Sequence, residues 1–151
     1  MKSIKYIPKI KNSVILLRID VNEPVDEFGV PQDTFRLRKS LHSIRYLIER
    51  GGKIVLLAHL GSPEGEFQKK LRLDFIGHEL AKLLGQPILK LDEVEGVEVE
   101  STVSQMKAGE VVLLENVRFD PREKQNSEQL GYYWSKLADY YVNDAFSVSH
   151  R

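Results

Sequence analysis

The chain has 151 residues, 42% of them hydrophobic and 29% charged, and its 22 Lys and Arg balance 22 Asp and Glu. That length suffices for one packed domain and is short for two, and a zero net charge offers nucleic acid or an anionic membrane no global field. With no cysteine, a disulfide scaffold, a thiolate metal site and a cysteine nucleophile are all excluded.

The basic stretch Met1 to Lys11 lacks the apolar core of a secretory signal. No run approaches the length of a membrane span, so a cytoplasmic protein is expected. Val14 to Ile19 is almost wholly apolar, as in a parallel strand buried on both faces. Leu37, Leu41, Ile44, Leu47 and Ile48 fall on one face of a helix that Gly51-Gly52 ends. Lys53 to Ala58 reads as a second strand, and the polar, glycine-containing loop Gly61 to Lys70 is expected to be exposed and mobile. Leu73, Ile76, Leu80, Leu83 and Leu84 make a second helical stripe, stopped by Gly85 and Pro87, with a weaker strand over Pro87 to Leu91. Val99, Val103 and Met106 suggest a short helix ending at Gly109; Val111 to Leu114 is a strand; Leu130, Trp134 and Leu137 mark a last helix before the strand Tyr140 to Val142. This alternation predicts right-handed crossovers and an α/β fold, a three-layer α/β/α arrangement around a mostly parallel sheet of about five strands. Residues 1–151 are expected to form a single domain, truncated at its C-terminal end because the last strand closes only a few residues before Arg151.

Open parallel sheets bind ligands beyond the carboxyl ends of their strands. Asp20 and Asn22 follow the first strand, His59 the second, Glu115, Asn116 and Arg118 the fourth, and Asn143, Asp144, His150 and Arg151 the fifth; Arg36 opens the first helix on the same edge. Arginine's planar fork suits carboxylate and phosphate, so the placement points to a small, multiply charged anion. Plainer readings stand beside it. Asp20 and Asn22 are also turn formers, His59 also a structural histidine, Arg118 and Arg151 also surface charges, and Glu115 and Asp144 also partners for those arginines. Lys69-Lys70 and Arg122-Glu123-Lys124 are expected on solvated faces. The chain has neither a Gly-x-x-x-x-Gly-Lys-Ser/Thr loop nor a Gly-x-Gly-x-x-Gly turn. His42, His59, His78 and His150 lack metal-ligand spacing, so no metal site is expected.

Five segments carry a family resemblance. Arg18-Ile19-Asp20-Val21-Asn22-Glu23-Pro24 resembles the R-V-D-F-N-V-P segment of the phosphoglycerate kinases. Thr34-Phe35-Arg36-Leu37-Arg38 resembles their T-x-R-I-R/K helix start, and Ala58-His59-Leu60-Gly61-Ser62-Pro63 is similar to S-H-L-G-R-P. Leu113-Leu114-Glu115-Asn116-Val117-Arg118-Phe119 matches L-L-E-N-L/V-R-F, and Tyr141 to Phe146 followed by His150-Arg151 looks like Y-V-N-D-A-F-G-x-A-H-R. They occur in the right order across residues 14 to 151.

The resemblance implies the N-terminal, 3-phosphoglycerate-binding domain of an enzyme that exchanges a phosphoryl group between 1,3-bisphosphoglycerate and ADP. Asp20, Asn22, Arg36, His59, Arg118 and Arg151 would bind the glycerate substrate, with Arg36 also the catalytic group facing the phosphoryl in flight. Mg-ADP or Mg-ATP would sit on a C-terminal domain missing from this chain, which alone would be inactive and of marginal stability. A monomer with no nucleic-acid or membrane partner is implied. Ser62 stands where the family motif has arginine, with Lys69 or Lys70 as substitutes from the adjacent loop; Ser147 and Ser149 replace small residues. An alternative is a degenerate relative acting as a non-catalytic anion-binding or interaction module. A generic flavodoxin-like signalling domain fits the alternation but leaves the five segments unexplained.

Overall fold

The structure, a computed structural model, describes residues 3–150. Five strands, β1 (Val14–Arg18), β2 (Lys53–Leu57), β3 (Leu89–Lys90), β4 (Val111–Leu113) and β5 (Tyr140–Asn143), form one sheet in the order β3-β4-β2-β1-β5. Every pairing is parallel, from Ile15 opposite Ile54 to Leu56 opposite Leu113. The helices are α1 (Phe35–Glu49), α2 (Asp74–Leu84), α3 (Val97–Ser104), α4 (Pro121–Lys124) and α5 (Glu128–Leu137).

Side chains on a strand alternate between its faces, and the alternation divides the apolar residues into two cores. Ile15, Leu17, Ile54, Leu56, Val111 and Leu113 pack with Leu37, Leu41, Ile44 and Leu47 of α1 and Ile76 and Leu80 of α2. Leu16, Val55, Leu57, Val112 and Leu114 pack on the opposite face with Val99 and Val103 of α3, flanked by Trp134 and Leu137 of α5. Chain direction explains this division. The steps β1 to β2 and β2 to β3 run toward one edge of the sheet, and the next two run back. With crossovers of constant hand, reversing direction moves the helix to the other face. The chain therefore leaves β2 and β4, which are neighbours, on opposite faces, and a crevice opens beyond their carboxyl ends.

The expected α/β/α layering is thus observed, with a wholly parallel sheet. Helix α2 ends where expected, at Gly85, whose φ of 70° lets its N–H reach back to the Ala81 carbonyl. The weak third strand shrinks to two residues at the edge, where Leu89 is exposed, because only β4 pairs with it. Helix α4, absent from the periodicity, has four residues, too few for an apolar stripe.

Leu56 is wholly buried in the central strand β2. Leu56→Ala is expected to destabilise the fold by about 2–5 kcal/mol, seen as a lower urea midpoint with an unchanged m-value. Val97→Ala, at a position 82% exposed, is expected to change stability by less than about 0.5 kcal/mol.

Candidate functional site

The loop after β1 begins with an Asp-centred turn. Asp20 Oδ1 accepts the Asn22 backbone N–H at 3.1 Å, so the turn-former reading holds for one oxygen. Its other oxygen reaches out of the loop, accepting Arg36 Nη1 at 2.8 Å and the Ser147 hydroxyl at 3.1 Å. Burial would raise the Asp20 pKa, but the Asn22 amide, Ser147 and Arg36 outweigh it and hold the carboxyl below its usual range. Arg36 also pairs with Glu23 at 3.2 Å. Its half-exposed fork thus lies on two carboxylates, whereas the sequence reading aimed it at a phosphoryl group.

Asn22 faces the crevice, where its Oδ1 accepts the Gly61 N–H at 2.8 Å. Gly61 has φ +65°, and a Cβ there would stand 2.9 Å from the Leu71 side chain, so this position requires glycine. Its carbonyl accepts Arg118 Nη1 at 3.2 Å. One residue of the β2 loop is therefore clasped by the β1 loop on its N–H and by the β4 loop on its carbonyl.

Asn116, wholly buried, ties the β2 loop to the β4 loop from beneath. Its Nδ2 donates to the carbonyls of Leu60 (2.8 Å) and Leu71 (2.9 Å), and its Oδ1 accepts the Arg118 N–H at 3.1 Å. Sequence reading placed Asn116 among the polar residues of the site edge; the structure makes it a fastener that orients Arg118.

His59 is 2% exposed, and its Nδ1 lies 3.4 Å from Arg18 Nη2. Burial, with help from the Arg118 and Arg18 guanidinium groups, pushes its pKa down to about 4. Arg18 and Glu123 were both missed in the sequence. Arg18 sits within an apolar strand, and Glu123 was expected on a solvated face. Glu123 is instead buried, 2.9 Å from Arg18 Nη2 and 3.5 Å from Arg118 Nε. Helix α4 inserts it: Asp120 caps the helix by accepting the Arg122 N–H, and Pro121 follows in the first turn.

Asp20, Asn22, Arg36, His59 and Arg118 are linked through this network, whereas Arg151 lies outside the described residues. The plainer reading made Glu115 and Asp144 partners for Arg118 and Arg151, of which Arg151 lies outside the described residues. Glu115 accepts the backbone N–H groups of Leu73 and Asn116 and pairs with Lys90. Burial pushes the Asp144 carboxyl pKa up, against a smaller lowering by the Ser43 hydroxyl. Ser62 is exposed, and Lys69 and Lys70 line a separate hollow with Phe28, Arg72 and Phe75. No group of three or more His, Cys, Asp or Glu side chains suited to a metal ion occurs among the described residues, and none of their helices is long and apolar enough to cross a membrane.

Residues 4–151 match the family profile described as phosphoglycerate kinase. A phosphoglycerate kinase of Dictyoglomus turgidum is 45% identical over 142 residues, which are 94% of this chain and 35% of the relative. One from Nautilia profundicola is 44% identical over 92% of this chain and 35% of the relative. Among solved structures, phosphoglycerate kinase from Pyrococcus horikoshii OT3 superposes with a TM-score of 0.86 at 31% identity, over 100% of this chain and 38% of that one. The Coxiella burnetii enzyme gives 0.84 at 30% identity, over 99% and 36%. The chain spans about a third of the length of the relatives it matches.

The buried neutral histidine sets a pH dependence. Unfolded, His59 takes up a proton near its ordinary value of 6.5; folded, it resists protonation down to about 4. The unfolded state binds more protons in that window, so stability is full above about pH 6.5 and is lost as pH falls toward about 4. The loss is on the order of 3 kcal/mol. His59→Gln is expected to flatten the stability curve between about pH 6.5 and pH 5, where carboxylates are still ionised, as measured by urea unfolding.

Proposed function

Because the chain belongs to the phosphoglycerate kinase family, we propose that it carries the glycerate-substrate site of a reversible phosphoryl transfer between 1,3-bisphosphoglycerate and ADP. The observation that carries this reading is Arg118, held at the mouth of the β2/β4 crevice by the Gly61 carbonyl and by Asn116 beneath it. A preset guanidinium loses little freedom on gripping an anion, so its charged hydrogen bonds count nearly in full.

On this reading Arg118 binds the phosphate of 3-phosphoglycerate and His59 donates a hydrogen bond. Asp20 and Asn22 orient the hydroxyl and carboxylate end. Arg36 is the catalytic group, moving from Asp20 and Glu23 onto the phosphoryl group as its charge spreads; Arg151 completes the set. The residues at hand do not fit a nucleotide: no glycine-rich phosphate loop occurs in the sequence and no metal-ligating cluster among the described residues. Mg-ADP or Mg-ATP therefore belongs, in this proposal, to a C-terminal domain that docks against the site. A cytoplasmic monomer is part of the same reading.

Charge counting favours a modest affinity. Among the described residues at the site and beneath it, the cations Arg36, Arg118 and Arg18 already face Asp20, Glu23 and Glu123, so an incoming anion must compete with carboxylates. Ser62 adds no cation. These two features support the second reading, a relative that keeps the scaffold as a non-catalytic binding module.

Calorimetric titration with 3-phosphoglycerate separates the two. Saturable binding that weakens as salt rises, and falls about tenfold to a hundredfold in Arg118→Met, is the expected outcome. Binding unchanged by Arg118→Met, or none by a folded chain, favours the second reading.

A further inference from the structure

Two guanidinium groups and one carboxylate meet on the sheet face covered by α4. Arg18 and Glu123 side chains are 6% and 3% exposed, and Arg118 is 15% exposed. Arginine does not lose its proton inside proteins, and an unpaired buried charge is costly. Glu123 is thus the shared counterion of Arg18, which carries no site role in the reading above, and of Arg118, which does. Four-residue α4 puts nothing else into this layer: Pro121 and Lys124 are exposed, and Arg122 pairs with Asp120 and Glu95.

Arg18 also constrains the histidine beside it. A guanidinium has only donors to offer. The ring nitrogen facing Arg18 Nη2 at 3.4 Å is Nδ1, which must present its lone pair; a proton there would set donor against donor. The ring proton therefore resides on Nε2. The charged groups facing His59 come from three directions: Arg18 and Asp20 at the end of β1, Arg118 beyond β4, and Glu123 from α4. Burial and the two cations disfavour an imidazolium and outweigh Glu123 and Asp20, whose carboxylates favour one.

We propose that Glu123 is the positioning residue of the site, its buried carboxylate hydrogen-bonded to Arg18 at 2.9 Å and ion-paired with Arg118 at 3.5 Å, and through Arg18 presenting His59 as a neutral donor from Nε2. The proposal rests on the glycerate-substrate reading, which it deepens. His59 then contributes a directed hydrogen bond and no charge, leaving the arginines to supply the electrostatic attraction. Glu123→Gln keeps the shape, yet its amide can satisfy only one guanidinium as acceptor and turns an N–H toward the other.

The test uses the 15N-labelled chain and two variants. Long-range proton–nitrogen correlation of the His59 ring is expected to give the neutral Nε2–H tautomer from about pH 8 to about pH 5. In Arg18→Met the ring should lose this bias and titrate nearer its ordinary value. Glu123→Gln should weaken 3-phosphoglycerate binding roughly tenfold to a hundredfold while retaining the backbone amide spectrum. An Nδ1–H tautomer or an imidazolium in the unsubstituted chain overturns the proposal, as does unchanged affinity in Glu123→Gln. If Glu123→Gln does not fold, the His59 tautomer and its response to Arg18→Met decide. Should the unsubstituted chain fail to bind 3-phosphoglycerate with His59 still Nε2–H, the glycerate reading fails and the Glu123–Arg18–His59 arrangement stands.

Discussion

A parallel sheet covered by helices on both faces leaves polar side chains one place to gather, the rim beyond the carboxyl ends of its strands. Everything distinctive about this chain follows from how it uses that rim. The strands are apolar on both sides because both are packed, from Ile15 and Leu17 on one face to Leu16 and Val55 on the other. The order β3-β4-β2-β1-β5 sends the chain from β2 and β4 to opposite faces. The crevice is a product of topology before any functional side chain enters it.

Where charged side chains are buried beneath the rim, as Arg18 and Glu123 are, their charges must be neutralised, and the loops above them must be tied. Neutral groups do the tying: Asn116 and the backbone of Gly61 join three loops through hydrogen bonds of 2.8–3.2 Å. Carboxylates neutralise the charge, with Asp20 and Glu23 on the exposed Arg36 and Glu123 on the buried Arg18. The division gives the two arginines different properties. Arg36 pairs where water competes and can exchange partners at little cost, while Arg18 pairs where separation leaves two buried charges.

The layered fold was legible in the sequence because each central strand is an uninterrupted apolar run and each long helix shows a stripe of period 3.6. The candidate site was legible as a set of positions following strands, and Asp20, Asn22, Arg36, His59 and Arg118 are connected in space. What escaped were interactions without local periodicity. Arg18 interrupts a strand expected to be buried on both faces, and nothing in its neighbours along the chain names the Glu123 carboxylate, 105 residues away, that neutralises it. Glu123 lies in a charged run on a helix too short to show a face. Asn116 looks like a ligand because it follows a strand, yet its partners, Leu60 and Leu71, are 56 and 45 residues away. The signal that could have found Glu123 is the Asp120-Pro121 pair, a helix start that fixes where the next turn points.

The central claim is that the crevice between the β2 and β4 loops is an anion site built around Arg118. The most direct measurement is a crystal structure of the chain soaked with 3-phosphoglycerate. The account predicts the phosphate within hydrogen-bond reach of Arg118, with the other end of the molecule toward Asp20, Asn22 and Nε2 of His59. A ligand seated instead in the hollow of Lys69, Lys70 and Arg72, with the crevice unchanged, would contradict it.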